Sequence, residues 1–171
     1  DHVVLCPICR EKAFLRSLYD KPLSLQGPAG EFGSYREWLP FDFIYPLEGL
    51  EIGCVHASEL GREIGVEKLW VLLSCWAPEH GATLPTGTFK TLEAAGVMMR
   101  VLTRSDRMLV VSSAGNAGVA VLEFGSRFGQ PAVVVVPESA RYTMLVGAEP
   151  SESSPILICL EHATYRDAIA M

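Results

Sequence analysis

Two groups of residues in this sequence have types and spacings that could do chemistry. The first is Lys90, at the end of Pro85-Thr86-Gly87-Thr88-Phe89-Lys90. Lysine is scarce: Lys12, Lys21, Lys68 and Lys90 are the only four, and Lys90 alone opens an apolar helical stretch. The start of a helix carries partial positive charge and an apolar wall withholds water, so both disfavour an ammonium there. They favour the neutral amine, which can attack an aldehyde or take up a proton. The same spacing also suits a surface lysine that snorkels along its helix. The second group is Val111-Ser112-Ser113-Ala114-Gly115-Asn116-Ala117-Gly118. Small residues between a strand and a helix leave backbone N–H groups open and make an anion cradle, to which Asn116 adds a side-chain amide. A plain βα turn has the same composition. The stretch holds neither Gly-x-x-x-x-Gly-Lys-Ser/Thr nor Gly-x-Gly-x-x-Gly, so it is not a nucleotide loop of either kind.

A weaker third signal is Cys6-Pro7-Ile8-Cys9. Zinc takes four ligands and this supplies two, so the stretch reads either as half of a metal site or as an ordinary turn. His2, His56, Cys54 and Cys75 are not at motif spacing. His80 and His162 stand in loop contexts, while Glu79 and Trp76 read as structural.

The elements that must carry these residues follow from periodicity. A short helical pattern (Phe14, Leu15, Leu18, Tyr19) precedes a Gly/Pro loop and then Tyr35, Trp38 and Leu39. Leu50 to Ala57 reads as a strand or turn. Ser58 is placed to cap a short helix that ends near Gly65. Leu69 to Leu73, apolar on both faces, predicts a buried strand, and Pro78 to Gly87 a loop. Phe89 to Val101 has helical spacing, and Met108 to Val111 predicts a short buried strand. From Asn116 a helix carries Val121, Leu122, Phe124 and Phe128 on one side, with Gly129 at its C-terminal cap. Ala132 to Val136 and Ile156 to Leu160 predict strands, and Tyr165 to Met171 a helix. Strand, helix and strand in this order predict a parallel βαβ unit, with the small-residue loop at a carboxyl end, where α/β sheets collect ligands. The fold class is α/β.

Composition narrows the function classes. The 171 residues carry 14 Lys and Arg against 20 Asp and Glu, a formal net charge of −6, with the basic residues scattered. Nucleic-acid binders cluster positive charge, so none is expected here. No apolar run reaches the roughly 18 residues that span a bilayer, so no membrane partner is expected. The N-terminal residues lack a basic stretch followed by an apolar one, so no secretory signal is read. Five cysteines with one close pair suit a reducing compartment. A cytoplasmic location is the expectation.

Thr86-Gly87-Thr88-Phe89-Lys90, followed by Ser113-Ala114-Gly115-Asn116-Ala117-Gly118, resembles the pyridoxal-phosphate enzymes of fold type II. Within that group Trp76-Ala77-Pro78-Glu79-His80-Gly81-Ala82, Phe89-Lys90-Thr91-Leu92-Glu93-Ala94 and Tyr35-Arg36-Glu37-Trp38-Leu39-Pro40 are similar to the cysteate synthase and threonine synthase family. The resemblance implies that Lys90 holds pyridoxal 5'-phosphate covalently and then acts as base on the substrate Cα. Asn116 would hydrogen-bond the cofactor ring hydroxyl, and Ser113, Ala114, Gly115, Asn116 and Ala117 would bind the substrate carboxylate. The implied reaction replaces the phosphate of O-phospho-L-serine by sulfite to give L-cysteate. A threonine synthase-like member would use O-phosphohomoserine and water instead. Cys6 and Cys9 would be the second half of a zinc knuckle.

The resemblance also implies what else the fold should contain. Residues 1–40 would be an N-terminal extension and 41–171 part of a tryptophan synthase β-like domain, with a three-layer αβα small subdomain at about 86–148. Family members carry a Gly-rich cofactor-phosphate loop in their C-terminal half. After Pro137 this sequence has one glycine, Gly147. Ala114 stands where the wider fold often has Ser. The expectation is the N-terminal part of a longer or split enzyme, in a homo-oligomer or paired with its C-terminal half. A non-catalytic remnant or partner-binding subunit is the alternative, and a plain anion- or nucleotide-binding α/β module a third reading.

Overall fold

The computed structural model describes residues 10, 18–41, 47–102, 108–144 and 155–171, and within them the chain is mixed α/β. Cys6, Cys9 and most of the helix expected near Phe14 lie outside the described residues.

After the Gly/Pro loop comes a 3-10 helix, Phe32–Trp38. Phe32 N–H donates to the Leu50 carbonyl and Ile52 N–H to that of Gly30, which ties this segment to the following strand. Strand β1 (Gly53–His56) pairs antiparallel with β2 (Trp70–Leu73), and helix α1 (Ser58–Ile64) links them. Two expectations fail here. Ser58 is not the cap: Ala57 holds that position without a side-chain bond, because its N–H is still paired to the Leu69 carbonyl as the ribbon ends. Nor is β2 buried. Trp70 is 61% and Leu72 70% exposed, since the ribbon has only two strands and one of its faces stays open among the described residues.

Pro78 to Gly87 is more ordered than a loop. Strands β3 (Trp76–Ala77) and β4 (Ala82–Thr83) pair around a 3-10 turn, Pro78–His80.

The remaining elements position the site. Helix α2 (Lys90–Leu102) leads into β5 (Leu109–Ser112), then α3 (Asn116–Phe128), β6 (Ala132–Pro137), β7 (Ile156–Leu160) and α4 (Tyr165–Ala170). β5, β6 and β7 form a parallel sheet in that order, with Val111, Val134 and Leu157 in one row. Alternate residues share a face, so Val111, Val134, Val136 and Leu157 turn to the main core with Met98 and Met99 of α2 and Phe124 of α3. That core is apolar because α2 and α3 lay their apolar stripes against each other and α3 packs onto the sheet. Gly129 ends α3 in the left-handed region at φ 61°, which a residue without Cβ adopts freely.

On the other set of alternate residues, Val135 is buried outside that cluster, and α4 with its buried Ala168 packs along β6 and β5. Thr164 and Asp167 form a reciprocal capping box at the start of α4. Hydrogen bonds from Thr164, backbone first and then hydroxyl, hold the Asp167 carboxyl below its usual range. The expectation that Met108 to Val111 is buried holds on one face only. Met108 is exposed and Val110 is 64% exposed, because β5 is an edge strand among the described residues and α4 does not reach its outer face at that end. Among the described residues no helix is long and apolar enough to cross a membrane.

Candidate functional site

Chain direction places the second candidate group at one edge of the sheet. α3 leaves the carboxyl end of β5 and returns to the amino end of β6, so Asn116, its first residue, lies at the carboxyl edge. α2, whose first residue is Lys90, packs against α3 and precedes β5 in the chain. Lys90 and Asn116 are thus each the first residue of a helix, at its positive end.

A turn organises the start of α2. Gly87 N–H donates to the Leu84 carbonyl at 2.8 Å, with Pro85 second and Gly87 (φ 67°) fourth in the turn. Thr91 N–H then donates to the Thr88 carbonyl and Leu92 N–H to that of Phe89. Lys90 Nζ pairs with the Glu93 carboxylate one turn on and lies 5.1 Å from the centroid of the Phe89 ring. The Lys90 side chain is 32% exposed, and Phe89 itself is exposed. The apolar enclosure expected around this amine is thus one ring wide. Its ion pair and its ring contact both come from the start of its own helix and the residue just before it.

The loop after β5 is built for close approach. Gly115 is extended (φ −146°) and has open space where a Cβ would stand, and Asn116 is exposed. Gly118 N–H donates to Ser113 Oγ at 3.1 Å. The Ser113 hydroxyl therefore caps the helix, in addition to any part it takes in ligand binding. Asn116 and Ala117, as the first residues of α3, have N–H groups with no intrahelical acceptor. Ala114 faces the core, and its carbonyl accepts from Thr143 Oγ1 at 3.4 Å. Gly118 is at the tightest point: a Cβ there would overlap the Ser113 carbonyl oxygen and lie 2.7 Å from Met144 Cε.

Three contributions escaped the sequence. Tyr165 OH donates at 3.1 Å to the Ser112 carbonyl, just before the loop, and a sequence separation of 53 leaves no local pattern to read. Glu93 was visible only as a neighbour of Lys90. Thr91 was visible as a polar residue on the buried side of α2, and its hydroxyl lies 2.6 Å from that of Thr86.

The residues present fit pyridoxal phosphate in their chemistry. α2 begins with a reachable primary amine, and the start of α3 offers free N–H groups, a side-chain amide and a glycine with open space above it. Among the described residues no three His, Cys, Asp or Glu side chains converge as a metal site would require. Zinc therefore has no support here, while Cys6 and Cys9 lie outside those residues.

Comparison with known proteins agrees with this chemistry. Residues 51–166, which include Lys90 and the whole loop, match the family described as Pyridoxal-phosphate dependent enzyme. The chain is 34% identical over 171 residues to a protein named cysteate synthase from Methanocorpusculum labreanum, covering 99% of this chain and 40% of that one. Another cysteate synthase, from Methanospirillum hungatei, is 30% identical over 183 residues, with 98% and 42% covered. A third, from Methanoculleus marisnigri, is 38% identical over 138 residues, with 79% and 31% covered. The chain spans about two fifths of the length of the first two relatives.

Proposed function

The chain belongs to the pyridoxal-phosphate dependent enzymes, and on that premise we propose that it is part of a cysteate synthase-like enzyme, replacing the phosphate of O-phospho-L-serine by sulfite to give L-cysteate. The observation that carries this reading is that Lys90 and the Ser113–Ala117 loop, each at a helix start, both lie inside the region matched to the family, in a chain whose similar proteins are named cysteate synthases. Bound pyridoxal phosphate supplies an electron sink for the substrate Cα. Lys90 holds it through its amine and afterwards moves the Cα proton with the same nitrogen. Asn116 turns its amide to the ring hydroxyl. The open N–H groups of Asn116 and Ala117, with Ser113, Ala114 and Gly115, cradle the substrate carboxylate, and the positive end of α3 favours its charge.

The finer architecture is part of the proposal. Residues 41–171 form a partial domain of fold type II, with a small three-layer αβα subdomain near 86–148. Residues 1–40 are an extension to it.

The test is absorbance. The chain mixed with pyridoxal phosphate should develop a band at the edge of the visible range, and Lys90→Ala should abolish it. A Lys90→Ala protein that keeps the band overturns the reading.

A second reading, a non-catalytic subunit that binds a partner, draws on the sheet having β5 and β7 as open edges among the described residues. Sedimentation separates the two. A lasting complex without any cofactor binding favours the subunit, whereas the band in an 18.6 kDa monomer favours the enzyme.

A further inference from the structure

One polar side chain near Lys90 is enclosed where an apolar one would pack as well. Thr91, the second residue of α2, has 0% exposure. A branched residue crowds the turn before it in a helix, and a buried hydroxyl is costly unless it is bonded. Valine would meet the first cost and avoid the second, so the hydroxyl calls for a reason. It has a partner: Thr91 Oγ1 lies 2.6 Å from Thr86 Oγ1, which in turn lies 3.3 Å from Thr88 Oγ1. The backbone bonds Gly87 to Leu84 and Thr91 to Thr88 run through the same few residues. The turn and the first coil of α2 are thus fastened together around a sealed hydroxyl, while the Lys90 side chain reaches Glu93 and Phe89.

We propose that Thr91, acting through Thr86, is a positioning residue for the Lys90 amine. It sets the direction in which α2 starts and hence where Nζ points. This inference rests on Lys90 being the cofactor lysine. Thr91 itself touches no reacting atom.

Reductive trapping tests it. The full chain is incubated with pyridoxal phosphate, reduced with borohydride and digested, and the label on Lys90 is compared by mass spectrometry with that on Lys68, Lys21 and Lys12. The unchanged chain should carry its label chiefly on Lys90. Label spread evenly over the four lysines there means that the functional reading itself fails, and the inference with it, before Thr91 is altered. With Lys90 preferred, Thr91→Val should lower the Lys90-to-Lys68 ratio roughly fivefold to tenfold, the scale of one lost buried hydrogen bond. Thr91→Ser, which keeps the hydroxyl, should restore it to within roughly twofold.

A second readout needs no cofactor. Amide exchange at Thr91 and Leu92 should quicken roughly tenfold in Thr91→Val, with α3 unchanged. Should Thr91→Val not fold, Thr86→Val removes the same bond from the half-buried turn and is read in the same way. An unchanged labelling ratio in the valine variant, or no rescue by serine, overturns the assignment.

Discussion

Gly118 is the position at which the loop, α3 and the sheet are pressed closest together, and Gly118→Ala measures that pressure. The added methyl would overlap the Ser113 carbonyl oxygen and stand 2.7 Å from Met144 Cε and 3.2 Å from Val134 Cγ1. Met144 can swing its flexible end away, but a backbone oxygen can move only if the loop moves. Overpacking of this kind costs about 1–3 kcal/mol, and a clash with backbone belongs at the upper end. Alanine returns about 1 kcal/mol through its better helix propensity. The expected net loss is about 2 kcal/mol, or roughly 4–8 °C in melting temperature for a chain of this size. Urea unfolding followed by circular dichroism reads the first quantity and a thermal scan the second. Gly115→Ala is the control, because nothing lies within 4 Å of the Cβ it would add and its φ of −146° suits any residue. There the weaker cap and the stiffer unfolded chain offset each other to within about 0.5 kcal/mol. A Gly118→Ala protein as stable as the unchanged chain, with the control behaving as stated, refutes the tight approach and with it the description of the loop.

Three further outcomes are expected. Phe124→Ala, at a fully buried ring in α3, should cost about 3–5 kcal/mol in urea unfolding, and a loss near 1 kcal/mol would contradict its place in the core. Trp70→Ser, by contrast, should change stability by no more than about 0.5 kcal/mol, since that ring is 61% exposed; a loss of several kcal/mol would mean that the ribbon face is covered. For Asp167, whose carboxyl is lowered by its bonds from Thr164, the contribution to α4 is in force above the ordinary aspartate value of about 4 and fades as pH falls through the lowered one. The Thr164 amide shift in an acid titration should report a midpoint below about 4, Asp167→Asn should erase it, and a midpoint above that value defeats the assignment.

Much of the sheet-and-helix half is legible because its signals are local. Phe89 to Val101 differs by one residue at each end from α2, and Gly129 stops α3 where its missing Cβ allows. The run Ala132 to Val136 is a central strand because it is apolar on both faces and both faces are covered. The same reasoning fails for β2. Its composition matches that of a central strand, but burial depends on what lies across from it, and sequence does not record that. Ser58 misleads for a related reason, since the β1–β2 pairing extends one residue further and takes the cap position for Ala57. At the site, Lys90 and Asn116 are legible as types in order. That Asn116 lies at the carboxyl edge of the sheet follows only from the βαβ topology. The bonds from Thr91 to Thr86 and from Tyr165 to Ser112 lie beyond reach, because each depends on the orientation of a hydroxyl whose partner the packing selects.

The order β5, α3, β6 has a kinetic consequence. Each of the three is joined to the next by a short connection, so the unit closes with little loss of chain entropy, and Val134 meets Gly118 from nearby in sequence. These contacts are the cheapest in the chain to form early, and Val134→Ala should therefore slow refolding far more than it hastens unfolding in stopped-flow experiments. The opposite split would place the nucleus elsewhere. The residues that shape the ligand edge would on this account also seed the fold, so that a substitution chosen to alter binding there changes how quickly the molecule comes together.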